Sequence, residues 1–311
     1  MSTGHDPGRL LGRAAAVLCM AVSCMTLGCR QAADLCFRHT VDMPGGIAVL
    51  AGLEQEALVR RDAYGIPCIE AGTMNDLAYA TGYVHASDRL TQMAGLRLLA
   101  QGRLSEMAGP ATLGLDVFMR SLELTRHAAA MIAGLTPESL ALLERYCMGV
   151  NAYLETHRHR LPPELALSGR TPEPWKPLDT ALVFCVLDVA LSFNLTEETA
   201  ALGIMRKIGP QKTAWLVPVY PDEPIAHDEA AKLAGIELRP AQIDVSRAVA
   251  LRSILQDLGL AGIAASNNWA ISGTRTSSGS SILCNDTHLV LSLPSVWNMM
   301  HLSCGGMNAA G

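Results

Sequence analysis

The hydrophobic pattern of the chain changes at Ser266, and this change is the strongest constraint on its fold. Before Ser266 the apolar residues recur at helical spacing over long segments. After it, short apolar runs are bounded by Gly, Asn, Asp and Pro, as is typical of strands. Because 50% of the 311 residues are apolar, the chain can bury a large core. We therefore predict an α+β fold, with a helical portion followed by a β-rich one.

The helical portion contains four predicted helices, identified from apolar spacing and from residues that favour helix ends. They cover residues 73–101, 136–154, 178–193 and 196–207. The third is apolar nearly all round and is predicted to be buried. Strands are predicted at 269–272, 281–284 and 297–302.

Ser266 has the surroundings of a self-cleaving nucleophile. It follows the small residues 261–265 and precedes a polar, then strand-like, stretch. Its hydroxyl could attack the carbonyl of Ala265, and hydrolysis of the resulting ester would free the α-amine of Ser266. Such an amine has a pKa of about 7.7 to 8.0 and can accept the hydroxyl proton near neutral pH. A serine before a strand is more often a turn or cap residue, so the neighbouring motifs decide between the two interpretations.

Several motifs in a fixed order surround this serine. They are LVRRDAYGIP at 58–67, GYVHASDRLTQM at 82–93, GRLSE at 102–106, TPEPWKP at 171–177, YPD at 220–222, SNNW at 266–269, NDTHL at 285–289 and PSVW at 294–297. Together they resemble the penicillin acylase (penicillin amidase) family of N-terminal nucleophile hydrolases. The resemblance implies an αββα-sandwich fold, with the helical portion as the α chain and Ser266 at the start of the catalytic β chain.

The resemblance also implies roles for residues around the nucleophile. The Ala265–Ser266 bond would be the autocleavage site, although the family more often has Gly at the position of Ala265. His288 would hold the freed α-amine, directly or through water; the alternative is a histidine that satisfies a turn beside its neighbours Asp286 and Thr287. The supporting residues Asn267, Asn268 and Trp269 would fix the strand that carries the nucleophile.

No cofactor is expected for catalysis, but the resemblance implies a structural Ca²⁺. Glu198 matches an α-chain glutamate that binds this ion in relatives, and carboxylates suit it as ligands. The adjacent Glu197 is the alternative ligand. Two acidic residues at the start of a helix can also act simply as partners of the helix dipole.

The amino-terminal segment, residues 1–28, is interpreted as a signal peptide. Arg9 and Arg13 precede an apolar run at 14–27 that suits a secretory segment. Cys29 is a candidate lipid acceptor, with Cys24 as the weaker one; an ordinary signal peptide or a buried helix are the alternatives. We therefore expect an exported protein, either periplasmic or anchored to the membrane as a lipoprotein.

The net charge and the cysteine spacing argue against nucleic-acid binding and against a zinc site. A net charge of −5 without basic clusters argues against a nucleic-acid partner. None of the nine cysteines forms a CxxC pair, so a zinc site is not expected. Cys147 and Cys185 are interpreted as packed thiols. Four further cysteines are open candidates for disulfides, namely Cys36, Cys68, Cys284 and Cys304.

The resulting organisation is a leader at 1–28, an α-chain-like region at 29–224, a linker at 225–265 and the start of the catalytic chain at 266–311. Because the chain ends soon after Ser266, we interpret it as the amino-terminal fragment of a precursor. Completed, it would be an α/β heterodimer that cleaves an N-acyl small molecule such as a β-lactam or an acyl-homoserine lactone. The alternative is a non-catalytic remnant or a membrane-anchored interaction protein. A conventional serine hydrolase ranks last, because the GxSxG motif is missing.

Overall fold

The computed structural model describes residues 45–192, 195–209, 212–213, 253, 265–289 and 291–311. The predicted leader, Cys29 and nearly all of the predicted linker lie outside the described residues. The chain divides into two compact units. Of the described residues, the first unit contains 45–91, Ala141–Trp175 and Met300–Ala310; the second contains Gln92–Leu140, those between Lys176 and Met299, and Gly311.

A four-stranded sheet organises the first unit. Its strands are β1 (Ala57–Arg61), β2 (Pro67–Ala71), β5 (His301–Cys304) and β6 (Met307–Ala310), in the spatial order β1-β2-β5-β6. β1 and β6 pair antiparallel with their neighbours, whereas β2 and β5 are parallel. The central pairing therefore joins two segments that are far apart in the sequence.

The two faces of this sheet differ in character, because successive strand residues point to opposite sides. One face is apolar: Ile69, Met300 and Cys304 are buried in a cluster with Leu77, Ala80 and Val84. The other face carries the alternate residues of the same strands, which are mainly polar: Arg60, Cys68, Glu70, His301, Ser303 and Asn308.

The long helix α1 (Met74–Ala100) begins at a buried carboxylate in the first unit. Asp76 is fully buried and accepts hydrogen bonds from the backbone N–H of Glu54 at 2.8 Å and of Gln55 at 3.2 Å. Thr73 donates its hydroxyl to the same carboxylate and accepts the N–H of Asp76, a reciprocal arrangement at the helix start. Asp76 thus joins the segment before β1 to the start of α1.

The helices of the second unit surround a separate apolar core. Their bounds are α2 (Ser105–Ala108), α3 (Leu113–Ser121), α4 (Leu124–Ala133), α7 (Pro177–Ser192) and α8 (Leu195–Ile208). The core includes Leu99, Met119, Ala128, Leu182 and Val186. The remaining helices are α5 (Pro137–His157) and α6 (Pro163–Ser168). Within the described residues, no helix is both long and apolar enough to cross a bilayer.

The predicted α+β class is confirmed, and the four predicted helices correspond to α1, α5, α7 and α8. The expected burial of the third helix is wrong in part, because Phe184 is 60% and Leu191 46% exposed on α7. Cys147 and Cys185 are buried, as predicted for packed thiols. Three of the candidates for disulfides, Cys68, Cys284 and Cys304, are free thiols, whereas Cys36 lies outside the described residues.

Candidate active site

Ser266 lies on a two-stranded antiparallel hairpin in the second unit. The hairpin consists of β3 (Ala265–Ile271) and β4 (Ile282–His288). Both strands are longer than the sequence pattern predicted, and β3 includes the Ala265–Ser266 bond. Ser266 itself is exposed to solvent.

The turn that joins the strands is held by local hydrogen bonds and one close glycine contact. The Thr276 hydroxyl donates to the carbonyl of Ser280 at 2.8 Å, and the Ser272 hydroxyl accepts the N–H of Thr274. A Cβ on Gly273 would lie 2.2 Å from the carbonyl oxygen of Gly279, so a side chain there would push the turn apart. Because the turn sets the register of a hairpin, these contacts decide which β4 residue faces Ser266.

The register divides the predicted site residues between the two faces of the hairpin. Ser266 is directly opposite Thr287, and Asn268 is opposite Asn285, so these four side chains share one face. The other face holds two further opposed pairs, Asn267 with Asp286 and Trp269 with Cys284. The three supporting residues Asn267, Asn268 and Trp269 are exposed and do not share one face.

His288 is directly opposite Ala265 and points to the face away from the Ser266 hydroxyl. Its Nε2 lies 2.6 Å from Oδ2 of Asp286, which is two residues earlier on the same strand and the same face. With the strands paired in this way, the imidazole is aligned with the residue before the nucleophile rather than with the nucleophilic oxygen. His288 is therefore opposite the residue that precedes the Ala265–Ser266 bond, and the nitrogen of that bond would become the α-amine that His288 is predicted to hold.

The sequence interpretation named Asp286 only as a neighbour of His288 and missed it as a partner. Side chains two positions apart on a strand share a face, so the alternation of side chains along β4 is the signal that could have identified the Asp286–His288 pair.

Glu198 is exposed in the first turn of α8, and Glu197 is exposed beside it. Among the described residues there is no group of three His, Cys, Asp or Glu side chains that could hold a metal ion. No step of the chemistry is assigned to that ion. The assignment of Glu198 stays a prediction.

Comparison with known proteins identifies the family. The family model for penicillin amidase matches residues 56–311, and the chain therefore belongs to the penicillin amidase family. The resemblance inferred from the motifs is confirmed by this match.

Two curated relatives and one solved structure give the range of similarity. The chain is 44% identical over 303 residues to the acyl-homoserine lactone acylase QuiP of Pseudomonas aeruginosa, covering 97% of this chain and 36% of that protein. It is 32% identical over 277 residues to the penicillin acylase 2 proenzyme of a Pseudomonas species, covering 86% and 34%. A penicillin G acylase structure from Alcaligenes faecalis is 26% identical, covering 55% of this chain and 96% of that chain with a TM-score of 0.46. The chain thus spans about a third of the length of these curated relatives.

Proposed function

We propose that this chain carries the nucleophile of an amidohydrolase that removes the acyl group from an N-acyl homoserine lactone. The observation that carries the proposal is the exposed Ser266 at the start of β3, inside the region that matches the penicillin amidase family. The substrate class is supported by the similarity to a protein named acyl-homoserine lactone acylase, at 44% identity over 97% of this chain.

The first step of the proposal is maturation at the Ala265–Ser266 bond. The Ser266 Oγ attacks the carbonyl carbon of Ala265 and forms an ester bond, the peptide C–N bond breaks, and the nitrogen takes up the proton of Oγ to become the α-amine of Ser266. The resulting ester is hydrolysed by water, which releases a carboxylate on Ala265 and restores the Ser266 hydroxyl. Nucleophile and base are then two groups of one residue.

In turnover, the α-amine of Ser266 takes the proton from Oγ as Oγ attacks the acyl carbonyl of the substrate. The amide C–N bond breaks, the amine of the homoserine lactone leaves with a proton, and an acyl-Ser266 ester remains. Water then hydrolyses this ester and regenerates the enzyme. The position of His288 opposite Ala265 supports a role in holding the freed amine, with Asp286 orienting the imidazole.

Three further predictions belong to the same proposal. Residues 1–28 act as an export signal, Cys29 is the site of lipid attachment, and Glu198 contributes one ligand to a structural Ca²⁺. The first two are tested by the mass of the amino-terminal peptide after expression in a bacterial host, which shows both removal of the leader and any added acyl chain.

The test of the proposal combines processing with turnover in the full 311-residue chain. Intact mass and amino-terminal sequencing should give a new terminus that begins Ser-Asn-Asn-Trp, and this terminus should be missing in Ser266→Ala. Release of homoserine lactone from an N-acyl homoserine lactone should require the same residue, and penicillin G serves as the comparison substrate. Ser266→Cys is the matched control, because it keeps a nucleophile at the position.

A chain that folds but shows neither cleavage nor Ser266-dependent release would overturn the proposal in favour of the non-catalytic alternative. Cleavage at Ala265–Ser266 together with faster deacylation of penicillin G than of the N-acyl homoserine lactone would support the amidohydrolase activity and overturn the proposed substrate class.

A further inference from the structure

The polar face of the four-stranded sheet carries a cysteine, a histidine and an asparagine in one hydrogen-bonded row. The Sγ of Cys68 lies 2.9 Å from Nδ1 of His301. The other ring nitrogen, Nε2, is hydrogen-bonded to Oδ1 of Asn308. These residues come from the three neighbouring strands β2, β5 and β6, so only the tertiary pairing brings them together.

The backbone register explains why these three side chains meet. Cys68 is directly opposite His301 in the parallel pair β2–β5, so the two side chains project from the same face. In the antiparallel pair β5–β6, Ser303 is opposite Asn308 and His301 is opposite Ala310. Asn308 is therefore the diagonal neighbour of His301 on that face, a separation that long side chains can bridge.

The hydrogen bonds define which ring nitrogen carries the proton. An amide oxygen only accepts hydrogen bonds, so Nε2 of His301 donates to Asn308 Oδ1 and Nδ1 is left as an acceptor. The thiol of Cys68 then donates to Nδ1. An activated thiol nucleophile has three parts: a thiol, an imidazole that can take its proton, and an amide that orients the imidazole ring.

Both Cys68 and His301 are half-buried, so the sulfur can be reached by a small reagent. Two charged groups flank it on the same face: Arg60, opposite Cys68 on β1, and Glu70, two residues along β2. Arg60 and Glu70 are hydrogen-bonded to each other. The charges of Arg60 and Glu70 thus form a pair with each other, and Nδ1 of His301 contacts the sulfur of Cys68.

Acyl transfer would require N–H donors for an oxyanion beside the sulfur. β2 and β5 are both inner strands of the sheet, whose backbone N–H groups are used in the ladder on both sides. Thiol–disulfide exchange needs no such donors, because no oxyanion forms and the negative charge ends on the sulfur of the leaving thiolate.

We propose that Cys68, His301 and Asn308 form a thiol-modification site at which Cys68 exchanges with a low-molecular-weight disulfide. His301 takes the proton of Cys68, and the sulfur attacks one sulfur atom of the disulfide. The S–S bond of the reagent breaks, a new S–S bond to Cys68 forms, and the second sulfur leaves as a thiolate that takes up the proton from His301. The products are a mixed disulfide on the protein and one free small thiol.

Cys284 provides the control within the same chain. It is also half-buried on a strand, and its thiol has no hydrogen bond to a histidine among the described residues. The test is the rate of mixed-disulfide formation with glutathione disulfide at pH 7, followed for each cysteine by peptide mapping and mass spectrometry. We expect Cys68 to react at least about tenfold faster than Cys284, since a positioned base contributes factors of this size or larger.

His301→Gln should reduce the rate at Cys68 to about that at Cys284, and Asn308→Ala should reduce it severalfold. Asn308 is exposed, so its substitution should leave the fold intact, which circular dichroism and thermal melting can check. The rate at Cys68 should also fall more steeply between pH 8 and pH 6 in His301→Gln than in the unchanged chain. Equal rates at Cys68 and Cys284, or an Asn308→Ala variant that folds and reacts at the unchanged rate, would overturn the proposal.

Discussion

Gly82 and Gly149 make reciprocal close contacts with the backbones of each other's helices. A Cβ on Gly82 of α1 would lie 2.0 Å from the carbonyl oxygen of Tyr146 on α5. A Cβ on Gly149 of α5 would lie 1.9 Å from the carbonyl oxygen of Tyr79 on α1. Real Cβ atoms do not approach backbone oxygens so closely, and backbone cannot rotate aside as a side chain can. The crossing of these two helices in the first unit therefore requires glycine at both positions.

Gly82→Ala and Gly149→Ala should each destabilise the protein. Forcing an extra methyl group into a packed contact costs about 1 to 3 kcal/mol, partly offset by the roughly 1 kcal/mol that Ala gains over Gly in a helix. Urea unfolding should show a lower free energy of unfolding for both variants. Gly203→Ala is the matched control, because Gly203 is helical with open space around its Cβ position, and it should be neutral or stabilising. If Gly82→Ala and Gly149→Ala were both as stable as Gly203→Ala, this result would contradict the close contacts between the two helices.

Asp76 should make stability depend on pH in the acid range. Burial raises the pKa of Asp76, but hydrogen bonds from Glu54, Thr73 and Gln55 and the charge of Arg145 outweigh it, so the pKa is lowered from 3.8. The unfolded chain therefore binds the proton more readily than the folded one. The contribution of Asp76 is fully present above pH 3.8 and is lost as the pH falls through the lowered folded pKa.

Asp76→Asn should remove this part of the acid dependence and lower the stability at pH 7. Loss of one carboxylate oxygen leaves a buried donor unsatisfied, at a cost of about 1 to 3 kcal/mol. The measurement is the free energy of unfolding from pH 7 to pH 3, with the exposed Glu138→Gln as control. An Asp76→Asn variant with the same pH profile as the unchanged chain would show that this carboxylate does not carry the effect.

His85 should make the stability of the fold depend on pH in a second range, separate from that of Asp76. Burial lowers the pKa of His85 below 6.5; the charge of Asp88 opposes this and that of Arg89 adds to it. The ring is 2.9 Å from the Tyr146 hydroxyl, inside the first unit. Because the folded pKa is lower than the unfolded one, the unfolded chain gains protons first, and stability falls as the pH drops below 6.5.

His85→Gln should flatten the stability profile between pH 7 and pH 5, the range in which an unperturbed histidine titrates. The measurement is the midpoint of thermal unfolding across that range. His127, which is exposed on α4, is the control position, and His127→Gln should leave the slope unchanged. If both variants retain the slope of the unchanged chain, another group is responsible for it.

Under the proposed function, His288→Ala should separate maturation from turnover. In the paired hairpin the imidazole is opposite Ala265 and on the face away from the Ser266 hydroxyl, so it cannot contact the attacking oxygen. We therefore expect cleavage at Ala265–Ser266 to proceed at close to the normal rate. Turnover should fall roughly a hundredfold, because a misplaced reacting group costs about that factor.

The two rates for His288→Ala are measured by intact mass over time and by release of homoserine lactone. Asp286→Asn, which keeps the imidazole but weakens its orientation, should show the same pattern to a smaller degree. A His288→Ala variant in which cleavage and turnover slow equally would place the imidazole in both steps.

The long helices could be predicted because an apolar stripe repeated over many turns is a local signal. α1 and α5 also carry end signals, Thr73 before the first and Pro137 at the start of the second. α3 and α4 were missed. They are short and are separated near Glu123, which adopts a left-handed conformation with φ 53° although neither Gly nor Pro marks the break. The exposure of Phe184 and Leu191 was also missed, because composition alone does not show which side of an apolar helix is covered.

Local periodicity and motifs in a fixed order were enough to predict the α+β class, the main helices, the family and Ser266 as the candidate nucleophile. The partners of individual side chains could be identified only from the way in which the strands pair. Strand register set His288 on the face away from Ser266, and the parallel pairing of β2 with β5 brought Cys68 to His301. Register depends on turns and on contacts between distant segments, and a shift of one residue would reverse every face.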